Sequence, residues 1–170
     1  MDSNQLITSL STLRSKAAVI QLAKSLKGDD AGIKMLYKII DQHPAELADK
    51  ASWVARVWFD IHKITDLPYL KLNLKALEKT TSDPVIRNLT GIFVDQGYPS
   101  SFNDKISTLC FKWLSNYSHA IAVHANALVL LSPILQKYPE LKQEVIFLCE
   151  AHPQSDDSTF RWRVERAVNY

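Results

Sequence analysis

Glycine is scarce in this chain, at 4 residues in 170. Many-stranded folds need glycine-rich turns at short intervals, so the shortage argues against sandwiches and barrels and for helices. Cysteine is scarcer still. Cys110 and Cys149 both sit inside helical patterns, which excludes a disulfide framework and leaves two reduced core thiols as the expectation. Long apolar runs are missing too: the longest, Ala120 to Leu135, is interrupted by His124, Asn126 and Ser132. No membrane span is read there, and Met1-Asp2-Ser3-Asn4-Gln5 lacks the basic start of a signal peptide, so a cytoplasmic location is expected. Nor does either sign of charge dominate. With 20 basic and 18 acidic residues the net charge is +2, which gives no overall attraction to nucleic acid or anionic lipid, and any basic site must be local.

Apolar residues are plentiful, 46% of the chain, and they recur at helical spacing. Ile33, Leu36, Tyr37 and Ile40 form one stripe; Leu67, Leu70, Leu74 and Leu77 a second; Ile106, Leu109 and Trp113 a third; Leu141, Val145 and Leu148 a fourth. Residues three and four apart share one helix face, so each stretch predicts a helix that buries a single stripe. Between the stripes stand Gly28-Asp29-Asp30, His43-Pro44, Asp83-Pro84, Tyr98-Pro99-Ser100 and His152-Pro153. These breakers leave helices of roughly ten to eighteen residues with short connections, an array of helical hairpins. A single domain over residues 1–170 is expected at this length.

The array has a period. Arg14, Lys50, Arg87, His124 and Arg161 stand 36, 37, 37 and 37 residues apart. The position before each is Leu13, Asp49, Ile86, Val123 or Phe160, apolar in four of five. Small residues follow in three copies (Ala17 and Ala18, Thr90 and Gly91, Ala127), and a bulky apolar residue closes each unit at Ile20, Val57, Val94, Leu131 or Val168. Small residues at a fixed place let neighbouring helices approach, and the bulky ones then fill the space between layers. The second unit departs most, with Trp53 where other copies carry a small residue.

This pattern resembles the HEAT repeat, an armadillo-like helical hairpin whose second helix opens on a cap residue, an apolar residue, a basic residue and small residues; Asp83-Pro84-Val85-Ile86-Arg87 is its best copy here. The segment from Ala120 to Val168, with AIAVHANALVLLSPI, KYPELKQEV and FRWRVERAV, resembles the C-terminal part of short bacterial HEAT-like proteins. The resemblance implies an all-α fold, a right-handed α-α superhelix of about five hairpins. Some such proteins carry the name adenylosuccinate lyase. A lyase of that kind needs a mobile Ser-Ser-x-Met-Pro loop, whereas here Ser100-Ser101 is followed by Phe102-Asn103 and methionine occurs only at Met1 and Met35.

Three places carry candidate binding residues. The basic comb Lys50, Arg87, His124 and Arg161 either lines a groove for an acidic partner or bridges structurally to cap residues, with Ser118 and Ser155 placed to accept from His124 and Arg161. Trp53 either fills a gap inside its hairpin or projects as a binding anchor. Arg161, Trp162 and Arg163, with Arg166, put cations on two faces of one helix beside an indole, for binding or as a solvated end helix. Of Trp53 and Trp58, five apart, one is expected in the core and the other partly exposed. The five histidines have no i, i+4 pair, so no metal is expected, nor any cofactor. Asp29-Asp30 and Asp156-Asp157 read as helix caps, and no glycine-rich phosphate loop or nucleophile elbow is present. The sequence therefore points away from an enzyme and toward a scaffold or binding module for a protein or peptide, with nucleic-acid binding along the basic residues as the alternative.

Overall fold

The computed structural model describes residues 1–169, and among them every regular element is helical. By packing, the chain divides into two compact units, one from Met1 to Gly97 and one beginning at Tyr98.

The first unit holds six helices: α1 (Ser3–Thr12), α2 (Lys16–Ser25), α3 (Asp30–Gln42), α4 (Ala45–His62), α5 (Leu67–Lys79) and α6 (Asp83–Gln96). Local chemistry sets several of their starts. Asp2 and Gln5 form a reciprocal capping box on α1, Ser15 Oγ accepts from the Ala18 amide to open α2, and Asp29 Oδ1 accepts from Gly32 to open α3. Such a cap stabilises by about 1 kcal/mol. Helix α4 has no side-chain cap, and its start at Pro44 rests on packing instead. Trp58 and Phe59, 3% and 0% exposed, bring roughly 2–3 kcal/mol each by burial, which outweighs the missing cap. Gly97, at φ 79°, closes α6 in a backbone region that other residues rarely adopt.

Helix α3 packs on α1 and α5, α4 packs on α2 and α6, and within hairpins α3 meets α4 and α5 meets α6. Odd helices thus form one row and even helices another. Polar bonds between the hairpins connect residues about one period apart. Tyr37 donates to Asn73 Oδ1, Asn88 Nδ2 to Ser52 Oγ, Arg56 to Asp95, Lys79 to Asp41, and Tyr69 to Asp30. Asn73, with no exposed surface, also donates to the Leu89 carbonyl, which joins α5 to α6. Three of the four predicted stripe residues on α5 are buried, but Leu67 is 44% exposed because it stands at the first position of the helix.

The second unit holds α7 (Asn103–Leu114), α8 (Ile121–Lys137), α9 (Lys142–Glu150) and α10 (Ser158–Asn169). Helix α9 is nine residues long, just under the expected range. Helix α7 packs on α8 and α9, and α10 on α8 and α9. Tyr98 donates to the Leu130 carbonyl at 2.7 Å, Tyr117 to that of Leu148 at 3.1 Å, and Asp157 Oδ1 caps α10 through the Phe160 amide. Cys110 and Cys149 are both free and buried, and burial pushes the Cys149 thiol up to about 12. Among the described residues no helix is long and apolar enough to cross a membrane.

All five comb residues fall on or just before an even helix: Arg14 ahead of α2, Lys50 on α4, Arg87 on α6, His124 on α8 and Arg161 on α10. The residues before them, Leu13, Ile86, Val123 and Phe160, are buried, and Asp49 is half-buried. The closing bulky residue packs less uniformly than expected. Leu131 and Val168 are buried, but Ile20, Val57 and Val94 are only half-buried, and Val19, Val54 and Ile92 fill the core in their place.

Candidate functional site

Lys50 and Trp53 lie three residues apart on α4 and therefore share a face; Pro84, Arg87 and Asn88 stand opposite on the first turns of α6. With Asp49 they line a groove of about 240 Å³. Trp53 is half-buried in it while Trp58 is buried, so the two tryptophans divide as their spacing predicts. Arg87 is exposed at its rim. The groove is held rigidly from below. Ser82 Oγ donates to Asp49 Oδ1 at 2.8 Å, and Asn88 Nδ2 donates to Ser52 Oγ at 3.0 Å.

Lys50 has a structural duty as well. Its Nζ donates to Glu46 Oε1 at 2.7 Å and to the Ser11 carbonyl at 3.3 Å, and its side chain is only 17% exposed. The hydrogen bond from Lys50 holds the Glu46 carboxyl below its usual range. The ammonium therefore ties α4 to the end of α1 and turns only part of its field toward the groove. Arg87 is the more exposed of the two cations there.

The remaining predicted residues are dispersed. Trp162 and Arg163 line a second groove, about 430 Å³, between α8 and α10. The Arg166 guanidinium lies 5.3 Å over the Trp162 ring there, within cation–π range. Arg161 points to the other face of α10, where it borders a depression of about 290 Å³ with Cys149, Glu150 and Glu165. His124 has no exposed surface at all. The basic comb is consequently not a continuous track of surface cations.

What His124 does was not legible from spacing. Its Nε2 lies 3.0 Å from the Trp113 carbonyl and 3.2 Å from that of Asn116, and its Nδ1 lies 3.1 Å from Nε2 of His152. The Gln154 amide donates to Nδ1 of His152 at 3.0 Å. Carbonyl oxygens at one end and an amide N–H at the other fix the protons: each ring is neutral, protonated on Nε2 and accepting on Nδ1. Phe160 stacks on His152, and Tyr117 meets it edge-on. Burial and the adjacent His124 hold His152 below its ordinary pKa. Ser118, expected to accept from His124, gives its hydroxyl to Asn116 Oδ1 instead. A histidine at a basic position in the repeat was the only hint in the sequence. His152, 28 residues away in the α9–α10 turn, gave none.

Among the described residues no three His, Cys, Asp or Glu side chains are grouped to hold a metal. No protein-family model, curated protein or solved structure matches the chain. Shallow grooves that set an aromatic side chain beside arginine or lysine occur on both rows of helices: Trp53 with Lys50 and Arg87, Trp162 with Arg163 and Arg166, and, between α3 and α5, Tyr69 with Lys34.

Proposed function

We propose that this chain is a non-enzymatic binding module that presents the even-helix face of HEAT-like hairpins, about five in a right-handed superhelical stack, to a protein or peptide partner. The stacking is supported by the 37-residue comb and by the polar bonds that join residues one period apart in the first unit. The α4–α6 groove carries the binding reading. It sets a half-buried Trp53 next to Arg87 and Lys50 on a floor braced by two hydrogen bonds, one buried and one part-buried. A rigid aromatic beside cations suits a peptide that offers an apolar side chain next to a carboxylate. An enzymatic reading gains no support from either groove, because neither brings together a nucleophile and a base.

The test is affinity capture with the wild-type chain and with Trp53→Ala/Arg87→Glu, both checked for equal helicity and melting. Loss of the captured protein with the variant is expected; equal capture would overturn the proposal. Nucleic-acid binding is the competing outcome. It would appear as duplex-DNA affinity falling steeply between roughly 50 and 200 mM salt. The inward His124 and the internally paired Lys50 count against a phosphate track.

A further inference from the structure

The second unit carries two surfaces that complement one another. The α8–α10 groove combines exposed apolar groups, Val129 and Trp162 at 45% and 53%, with Arg163 and Arg166, and among the described residues no acidic side chain lines it. Pro133, which also lines it, has no amide hydrogen to offer the Val129 carbonyl, so that acceptor lacks its usual helical donor. On α9 the most exposed large apolar side chain among the described residues, Phe147 at 67%, stands between Glu144 and Glu150, each three residues away on the same exposed face. Among the described residues neither glutamate forms an ion pair, and Arg163 forms none. Gln143, exposed one turn before Phe147, carries an amide donor.

We infer that this chain self-associates head to tail: the Phe147 face of α9 in one copy seats in the α8–α10 groove of the next. Phe147 packs against Trp162 and Val129, Glu144 and Glu150 approach Arg163 and Arg166, and the Gln143 amide reaches the Val129 carbonyl. An aromatic side chain flanked by two carboxylates is what a cationic groove with an exposed indole recognises. Phe147 does not line the groove of its own unit, so the complement must come from a second molecule. Such a contact uses different patches on the two copies and leaves one of each open, which permits chains or rings instead of a closed two-fold dimer. With one aromatic anchor and a small groove it belongs to the weak class of interfaces, in the range of roughly 10–500 µM. The inference does not rest on the α4–α6 groove.

The experiment is sedimentation equilibrium on the full chain at low salt, roughly 50 mM, where surface charge pairs are least screened. The weight-average mass of the wild type is expected to climb above 19.3 kDa with concentration, and to fall back at high salt. Phe147→Asp and Arg163→Glu/Arg166→Glu, both at exposed or half-exposed positions, should each stay monomeric with unchanged helicity. Mixing the two variants should restore association to the limit of one dimer, because each supplies the face the other lacks. A wild type that remains monomeric across that range, variants that associate like the wild type, or a mixture that stays monomeric would each overturn the inference. Should Phe147→Asp melt early, Glu144→Arg/Glu150→Arg replaces it with the same expected result.

Discussion

Replacing His124 by Phe keeps an aromatic ring, somewhat larger, at a fully buried position but removes the acceptor for the His152 Nε2 proton and the donor to two carbonyls. Those carbonyls keep backbone donors, the Asn116 and His119 amides at 3.1 Å, so most of the cost comes from the stranded His152 proton. An unsatisfied buried donor costs about 1–3 kcal/mol, so His124→Phe should lose about 2 kcal/mol. His152→Phe keeps the stack on Phe160 but leaves Nδ1 of His124 without its donor and the Gln154 amide without its acceptor, at about 1–2 kcal/mol. The double variant removes both ends of the shared bond. Its loss should fall short of the sum by about 1 kcal/mol, the net contribution of one neutral hydrogen bond. Urea unfolding of the four proteins at about pH 8 measures this. Additivity within about 0.3–0.5 kcal/mol would refute the His152–His124 hydrogen bond. Acid gives an independent check. His152 binds its proton less readily in the folded state, so its contribution is whole above its ordinary value of 6.5 and is lost as pH falls below it. Carboxylates with ordinary values of 3.8 and 4.5 barely titrate above about pH 5.5. Between about pH 8 and 5.5 the wild-type urea midpoint should fall, and that of His152→Phe should fall less.

Asn73→Ala strands the Tyr37 hydroxyl in the core, while the Leu89 carbonyl loses only its side-chain donor and stays within the helical ladder of α6, and chemical denaturation should report a loss of about 1–3 kcal/mol; a loss well under about 1 kcal/mol would speak against that bridge. At Gly91 an added Cβ would meet the Arg56 guanidinium at 2.5–2.8 Å, a flexible tip whose pair with Asp95 is exposed. Gly91→Ala should therefore stay within about 0.5 kcal/mol of wild type, since better helix propensity offsets the displaced ion pair. Gly91→Leu exceeds what Arg56 can yield and should lower the melting temperature clearly. An unaffected Gly91→Leu variant would show that α4 and α6 do not approach closely there.

The helices were legible because burial imposes a 3.6-residue period: Ile33, Leu36, Tyr37 and Ile40 are all buried as their spacing requires. Breakers were legible where proline or a capping side chain acts locally, as at His43-Pro44 and Asp29. The turn after α4 was not, since it ends on Lys63 at φ 50°, a conformation that lysine's sequence signal does not announce. The comb placed Lys50, Trp53 and Arg87 on adjacent even helices, and they do share one groove. It could not say which way each tooth turns. Arg87 is exposed, Lys50 folds back onto Glu46 and Ser11, and His124 is buried against the Trp113 carbonyl, because direction depends on partners that the repeat spacing does not encode. The His124–His152 pair was invisible for the same reason: it joins a helix to a distant turn with no periodic relation between them.

A display library of random peptides selected against the immobilised chain tests the binding reading most directly. Selection should enrich peptides that place an aromatic or aliphatic residue beside aspartate or glutamate. Their affinity should drop at least about tenfold, or 1.4 kcal/mol, on Trp53→Ala/Arg87→Glu with melting unchanged. No enrichment over an unrelated helical protein, or equal binding by that variant, would contradict the assignment of the α4–α6 groove as the site.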